Sequence, residues 1–210
     1  MIVFINKLDR EGKDAFDLMD EVEKKLKLRV TPLSFPIGMG YDFQGIYNIW
    51  EKNINLFEGD SRKNIEETIA FDDINNPELE KIIGEKPANR LREELELIEE
   101  VYPAFSREEY LAGDLQPVFF GSALNNFGVR ELLDCFVEIA PTPRAKESDT
   151  RLVNPEEEKL SGFVFKIHAN MDPKHRDRLA FIKIVSGTFE KNKPYLHVRL
   201  GKNLKFSSPN

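Results

Sequence analysis

The chain has 210 residues, of which 40% are hydrophobic and 32% charged, a composition expected of a soluble globular protein with one large domain or two small ones. Its formal net charge of −7 excludes a uniformly basic nucleic-acid-binding protein, and its single cysteine excludes a disulfide framework and fits a reducing compartment. No apolar run approaches the length of a membrane span and no signal peptide is visible, so we expect a cytoplasmic protein.

Charge is distributed unevenly along the chain. Between residues 71 and 100, ten acidic residues stand against four basic ones. From residue 161 to the end the balance reverses, with ten basic and three acidic residues. An acidic middle and a basic C-terminal third indicate different surfaces with different partners.

The first predicted element is a short strand followed at once by a polar loop. Residues 2–5 are apolar and mostly β-branched or aromatic, which predicts a strand buried on both faces. Asn6, Lys7, Leu8 and Asp9 then follow at the carboxyl end of this strand. Open α/β sheets bind their ligands at this edge, so the loop is a candidate binding site.

The side chains of this loop suit a guanine base. Asp9 offers two acceptor oxygens to the N1–H and the 2-amino group of guanine, whereas adenine would leave that carboxylate unpaired. Lys7 can lay its aliphatic stem over the base, Asn6 can tie the loop to its neighbours, and Leu8 would be a buried spacer. The alternative interpretation is an ordinary polar turn, because three fixed residues also recur by chance.

The next segments alternate between helix and strand patterns. Residues 14–28 have the apolar spacing of an amphipathic helix, and residues 29–37 predict an edge or irregular strand that contains Pro32 and Pro36. Residues 46–58 predict a hairpin packed on that edge. Residues 78–84 and 88–101 predict two further helices.

A second strand-and-loop unit appears at residues 117–124. Residues 117–120 predict a strand, and Gly121, Ser122, Ala123 and Leu124 follow it as a tight loop of small residues. The backbone N–H of Ala123 could donate to the guanine O6, which adenine replaces with a donor. Because each loop could contact a different edge of guanine, the two motifs together indicate guanine binding more strongly than either does alone.

The C-terminal third changes from helix to strand periodicity. Residues 129–140 predict a helix, after which residues 141–160 contain prolines and charges but few large apolar groups, as in a linker. Residues 162–167, 178–185 and 195–200 predict strands of an all-β domain. The predicted inward face of the helix consists of Val129, Leu132, Leu133, Phe136, Val137 and Ala140.

Other chemistry-bearing residues are open to two interpretations. Lys174, His175, Arg176 and Arg178 form a basic cluster that could contact RNA phosphates or could be a solvated loop. The three histidines lack metal-ligand spacing, and Cys135 fits a packing residue better than a nucleophile. We therefore predict neither a metal site nor a catalytic residue in this chain. Trp50, among apolar neighbours, is expected in the core.

The two loops resemble the guanine-specificity motifs of regulatory GTPases, and Asn6–Arg10 followed by a helix is similar to the ribosome-associated translational GTPases. Residues 162–181, which include the phrase Asn-Met-Asp-Pro-Lys-His-Arg-Asp-Arg, resemble the opening of domain two in the bacterial peptide chain release factor 3 family. The phrase at residues 121–129 resembles that family's second guanine loop. This resemblance extends along essentially the whole chain.

The resemblance implies a fold of the α/β class. Asp9 and Ser122 lie 113 positions apart, whereas one α/β crossover needs about 30 residues, so roughly 80 residues are expected as an insertion. We expect the C-terminal part of a P-loop-type GTPase domain, an inserted α+β subdomain, a linker and the start of an all-β translation-factor barrel. The corresponding ranges are 1–30 with 115–141, then 31–114, 142–160 and 161–210.

The sequence contains no G-x-x-x-x-G-K-[ST] phosphate loop. Residues 42–45 match the D-x-x-G pattern of a γ-phosphate sensor, but the family's order places that motif before the first guanine loop. We therefore expect the chain to be an internal piece of a longer protein. Because phosphoryl transfer depends on groups around the phosphates, we expect that it does not hydrolyse GTP alone and binds guanine nucleotides weakly if at all. Mg²⁺ would bind only in the intact protein.

For the intact protein, the resemblance implies GTP or GDP binding, GTP hydrolysis and recycling of termination factors. Its expected partners are ribosomal RNA, ribosomal proteins and class I release factors, with no DNA and no membrane. Two alternatives stay open. One is an elongation-factor-G-like or ribosomal-protection GTPase, and the other is a non-enzymatic module that binds the ribosome or a protein.

Overall fold

The structure is a computed structural model that describes residues 1–57, 68–71, 73–169 and 178–206. These residues fall into two compact units, 1–141 and 142–210. The strands of the first unit are β1 (Val3–Ile5), β2 (Arg29–Pro32), β3 (Ser34–Ile37), β4 (Gly45–Asn48), β5 (Asn53–Leu56), β6 (Thr68–Ala70) and β7 (Leu115–Phe120). Its helices are α1 (Ala15–Leu26), α2 (Glu78–Ile83), α3 (Glu85–Val101), α4 (Arg107–Ala112) and α5 (Val129–Ile139).

A parallel sheet in the order β1-β7-β2 carries the two predicted loops. All six residues of the central strand β7 are buried. The N-terminal strand packs on both faces, as expected, because Val3 and Ile5 lie against one core and Phe4 lies against the other. The burial is less deep than predicted, since Val3 and Phe4 are only half-buried.

The segment expected to be one irregular strand, residues 29–37, forms two strands in two sheets. β2 joins the parallel sheet, and β3 begins an antiparallel sheet in the order β3-β4-β5-β6. Leu33 lies at the switch, where its N–H donates to Val118 O at 2.9 Å and its carbonyl accepts from Ile49 and Trp50. Both prolines lie in strands at the edge of a sheet, where a missing N–H costs no ladder bond. The boundary expected between residues 30 and 31 falls inside β2.

The helices follow the predicted periodicity, with one addition. The hairpin β4–β5 and helices α1, α2, α3 and α5 form where the sequence predicts them. Helix α4, which has six residues, is the one addition to the predicted helices. The Ser106 hydroxyl caps it by accepting from the N–H of Glu109. Within the described ranges, no helix has both the length and the hydropathy needed to cross a membrane.

One hydrophobic core joins the parallel sheet, the antiparallel sheet and the helices between them. Phe35 of β3 lies at its centre, with its ring 5.1 Å from that of Phe16 on α1 and 5.6 Å from that of Phe120 on β7. A second cluster covers the other face of β7, where Phe119 packs with Leu33, Tyr110, Cys135 and Ile139. Alternate residues of β7 thus serve two different cores.

The predicted inward face of α5 is wrong in part. The buried residues of this helix are Glu131, Cys135 and Ile139, with Leu132 partly buried against them. Leu133, Phe136 and Val137, which the sequence placed inside, are exposed. The helix is therefore rotated so that a carboxylate and a thiol, rather than its largest apolar side chains, face the sheet.

The second unit consists of antiparallel pairs. Its strands are β8 (Lys146–Glu147), β9 (Leu152–Val153), β10 (Ser161–Ala169), β11 (Arg178–Ser186), β12 (Pro194–His197) and β13 (Lys202–Lys205). They pair as β8–β9, β10–β11 and β12–β13. The range expected as a linker thus contains a small hairpin. The strand predicted to end at residue 200 stops at His197, whose Nδ1 accepts from the N–H of Leu200 and begins a 3₁₀ turn.

Replacing Phe35 by alanine should lower the free energy of unfolding by about 3–5 kcal/mol, because the ring is fully buried and joins three elements. Tyr41→Ala is the control, since Tyr41 is 97% exposed and the loss of its side chain should cost less than about 0.5 kcal/mol. Urea unfolding measures both values. A Phe35→Ala loss no larger than that of the control would contradict the shared core.

Gly128→Ala should destabilise the chain more than Gly113→Ala. Both glycines have a left-handed backbone, with φ of +74° and +92°, so both substitutions carry a strain of about 1–2 kcal/mol. A Cβ at Gly128 would also lie 2.4 Å from the carbonyl oxygen of Phe120, whereas at Gly113 it meets nothing within 4 Å. Equal unfolding free energies for the two variants would argue against the close approach behind the second loop.

Candidate guanine-reading site

The loops that follow β1 and β7 lie side by side. Ile5 and Phe120 are paired at the carboxyl ends of these parallel strands, and the pairing continues past them. The N–H of Gly121 donates to Ile5 O at 3.0 Å, and the N–H of Leu8 donates to Gly121 O at 3.2 Å. The topology therefore brings together two loops that are more than a hundred residues apart in sequence.

Asn6 joins the two loops through its side chain. Its Oδ1 accepts from the N–H of Lys7 at 2.8 Å and from the N–H of Ala123 at 2.8 Å. The amide that the sequence assigned to the guanine O6 thus donates to Asn6 in this structure. One carboxamide oxygen sets both the turn of the first loop and the position of the second.

The first loop is a compact turn that presents Asp9. Lys7 has a left-handed backbone with φ of +72°, and its carbonyl accepts from the N–H of Arg10 at 3.1 Å. Leu8 is buried beneath the turn, as expected of a spacer. The Asp9 side chain is 20% exposed, and its Oδ2 lies 3.9 Å from Arg10 Nε. The Asp9 carboxylate is therefore partly open to solvent, on a turn that the buried Leu8 anchors.

The second loop is closed by a pair of backbone bonds. Ser122 and Phe127 exchange N–H···O bonds of 3.0 Å in both directions, and Asn125 Nδ2 donates to the buried Ser122 hydroxyl at 2.9 Å. Ala123 and Leu124 are exposed at the tip. Of the three residues assigned to guanine in this loop, Ser122 is internal to the loop, while the other two face outward.

A turn from the segment expected as an insertion supports the first loop, and no local pattern in the sequence indicates this contact. The N–H of Gly40 donates to Leu8 O at 2.9 Å, and the N–H of Tyr41 donates to Glu11 Oε1 at 3.3 Å. Gly40 has a left-handed backbone with φ of +61°, a conformation that favours glycine. The first loop is thus held on two sides, by the second loop and by this turn.

The first loop runs into α1 through a cap and an ion-pair cluster. Asp14 caps the helix by accepting from the N–H of Phe16 at 2.9 Å. Glu21 pairs with Lys13 and Lys25, and hydrogen bonds from these ammonium groups, Lys13 first, lower the pKa of its carboxyl to about 2. These pairs are present above the ordinary carboxyl pKa and are lost as the pH falls toward 2.

Two side chains of α5 reach back to the antiparallel sheet. The buried Glu131 carboxylate accepts from Asn55 Nδ2 of β5 at 2.6 Å. Glu138 Oε2 accepts from the indole N–H of Trp50 at 3.2 Å, so Trp50 is half-buried rather than fully in the core. Sequence reasoning missed Glu131 and Asn55, because a carboxylate in the first turn of a helix is usually exposed there.

The remaining candidates do not form a site. Lys174, His175 and Arg176 lie outside the described residues, and Arg178 is exposed at the start of β11. Burial, with Glu138 and Glu51 adding negative charge, raises the pKa of the Cys135 thiol to about 12, which suits a packing residue. Among the described residues, no group of three or more His, Cys, Asp or Glu side chains could hold a metal ion.

Comparison with known families matches both units. Residues 1–142 match the GTP-binding domain of elongation factor Tu, and residues 159–210 match domain 2 of elongation factor G.

A crystal structure of a protein from Thermus thermophilus has the same fold, with a TM-score of 0.61 at 19% identity. The alignment covers 98% of this chain and 30% of that one, so the chain spans less than a third of the length of this solved relative. The parallel strands, the two loops at their carboxyl ends and the strands that follow agree with these matches. The chain belongs to the translational GTPase family, with a GTP-binding domain of the elongation factor Tu type followed by a domain of the elongation factor G domain 2 type.

Proposed function

We propose that this chain reads the guanine base of GTP and GDP through Asn6, Lys7, Leu8, Asp9, Ser122, Ala123 and Leu124. The observation that carries the proposal is the 2.8 Å hydrogen bond from the N–H of Ala123 to Asn6 Oδ1, which joins the two loops. In the intact protein, the function would be that of a ribosome-associated, cytoplasmic translation factor that hydrolyses GTP. Its expected ligands and partners are GTP or GDP with Mg²⁺, ribosomal RNA and ribosomal proteins.

The first loop would recognise the edge of the base that bears N1 and the 2-amino group. The Asp9 carboxylate is at the surface, and an ionised carboxylate accepts both donors of this edge. Lys7 lies one position from Asn6 with an exposed side chain, so its stem can cover the face of the base. Leu8 is buried in the core and would anchor the turn that carries Lys7 and Asp9.

The second loop would recognise O6. When a base is bound, the N–H of Ala123 would share or transfer its hydrogen bond from Asn6 Oδ1 to O6, while Asn6 keeps its bond from the N–H of Lys7. The exchange replaces one N–H···O bond with another, so it leaves no buried donor unpaired. Adenine, which presents an amino group at this position, would meet a donor with a donor.

The phosphate side of the reaction would need groups that this sequence lacks. No phosphate-loop motif is present, and GTP hydrolysis depends on positioning and charge at the phosphates. We therefore propose that the 210-residue chain has no GTP turnover by itself and that hydrolysis belongs to the intact protein.

Within the translational GTPases we propose a factor of the release factor 3 type, which recycles class I release factors from the ribosome. The support is the Asn-Met-Asp-Pro-Lys-His-Arg-Asp-Arg phrase at residues 170–178 and the proposed inserted subdomain 31–114. In this proposal Lys174, His175, Arg176 and Arg178 contact ribosomal RNA phosphates. The match of residues 159–210 to domain 2 of elongation factor G favours an elongation-factor-G-like protein as the second candidate.

Asp9→Asn in the intact protein should shift base preference from guanine toward xanthine. The substitution replaces an acceptor by a donor that suits the carbonyl at position 2 of xanthine. GDP affinity should fall about a hundredfold, because one hydrogen bond becomes a donor–donor contact and the other loses its charged acceptor, and xanthosine diphosphate should bind better than GDP. Asp14→Asn is the control, since asparagine also caps α1 and the residue is not assigned to the base. Unchanged GDP affinity in Asp9→Asn, measured by calorimetry, would refute the proposed role of Asp9.

Ribosome assays on the intact protein separate the two candidate functions. With purified ribosomes held in a post-termination complex, a factor of the release factor 3 type should accelerate dissociation of a labelled class I release factor in the presence of GTP. It should not advance the ribosome along its messenger in a toeprint. Translocation without release-factor dissociation would contradict the proposal and favour the second candidate.

A further inference from the structure

The antiparallel sheet β3–β6 and its connecting turns, hereafter the inserted sheet, contact the first guanine loop and the end of the strand that leads into the second. The turn at residues 38–42 lies against the first loop, with Gly40 donating to Leu8 O at 2.9 Å. The hydroxyl of Ser34 on β3 accepts from the N–H of Phe120, the last residue of β7, at 3.0 Å. The inserted sheet therefore contacts the backbone of the first loop and the backbone immediately before the second loop.

A third contact fixes the helix that follows the second loop. Asn55 of β5 is 1% exposed and Glu131 of α5 is 6% exposed, and Asn55 Nδ2 donates to Glu131 Oε1 at 2.6 Å. Glu131 lies in the first turn of α5, three positions after Gly128. A hydrogen bond between a neutral donor and a buried carboxylate is strong and costly to break, so this turn of the helix is held against β5.

Asn55 is itself held in a polar network. Its Nδ2 lies 3.4 Å from Asn53 Oδ1, and Glu51 Oε2 accepts from Asn53 at 3.0 Å and from Asn48 at 3.1 Å. At the far end of α5, the indole N–H of Trp50 donates to Glu138 at 3.2 Å. The helix is thus attached to the inserted sheet near both of its ends.

We propose that the Asn55–Glu131 pair is a positioning contact through which the inserted sheet sets guanine-nucleotide affinity. This inference rests on the proposed guanine-reading function. The second loop and α5 are one continuous segment, closed by the Ser122–Phe127 bonds, so a shift of the first helical turn moves the N–H of Ala123. A displacement of about 0.5 Å takes a 2.8 Å hydrogen bond to the limit of useful geometry. Neither Asn55 nor Glu131 would touch the nucleotide.

The same contact would link nucleotide affinity to the binding of a partner protein on the inserted sheet. Any protein that displaced β5 relative to α5 would change the affinity for guanine nucleotide, and bound nucleotide would change the affinity for that protein by the same factor. The Asn55–Glu131 pair would couple partner binding to nucleotide binding.

Asn55→Asp in the intact protein tests the proposal, because it places a second carboxylate against Glu131. We expect GDP, labelled with a fluorescent N-methylanthraniloyl group on the ribose, to dissociate about three- to tenfold faster than from the wild type. In the double variant Asn55→Asp with Glu131→Gln, the donor and acceptor exchange places, and the dissociation rate should return to within about twofold of the wild-type value. Asn55→Ser, which shortens the donor without adding charge, is the second variant should Asn55→Asp fail to fold.

Arg92→Ala is the matched control. The guanidinium of Arg92 on α3 donates to Glu80 Oε1 of α2 and to the carbonyl of Ile74, each at 3.0 Å. Arg92 lies in the same unit, and these contacts involve neither loop. It should lower the melting temperature and leave GDP dissociation unchanged. Equal dissociation rates in the wild type and a folded Asn55 variant would overturn the proposal, as would an equally large change in Arg92→Ala.

Asp9→Asn, measured beside these variants, distinguishes failure of the positioning proposal from failure of the proposed function. If the wild type binds GDP and Asp9→Asn switches preference to xanthine while Asn55→Asp has no effect, the positioning proposal fails and the proposed function stands. If the wild type shows no guanine-nucleotide binding, both fail.

Discussion

The parallel pairing of β1 with β7 is the constraint on which the candidate site depends. Parallel neighbours end at the same edge of a sheet, so a loop at residue 6 and a loop at residue 121 become adjacent whatever is inserted between them. The Asn6 carboxamide oxygen then fixes the distance between the two loops, because it accepts from a backbone N–H of each loop. The positions of the two loops relative to each other follow from these two facts.

The inserted sheet is part of the structure that supports this site. Phe35 of that sheet shares one core with Phe16 on α1 and Phe120 on β7, and Ser34 and Gly40 bond to the backbone beside the loops. Three segments that are distant in sequence therefore determine one surface. We therefore expect a rearrangement of the inserted sheet to shift the loops, because close-packed interiors transmit displacements.

The features that could be predicted from sequence are those that depend on neighbouring residues. Strand-then-loop units and helix periodicity are local properties, and they placed the loops and most elements correctly. The support from Gly40 and the burial of Glu131 depend on contacts across 32 and 76 positions, and the exposed apolar face of α5 depends on the rotation of a whole helix. Local patterns carry no information on these contacts.

The most direct measurement of the central claim is a crystal structure of the intact protein with GDP bound. The account predicts both Asp9 carboxylate oxygens within about 2.7–3.2 Å of guanine N1 and the 2-amino nitrogen, and the N–H of Ala123 at a similar distance from O6. A bound guanine that contacts neither Asp9 nor Ala123 would contradict it.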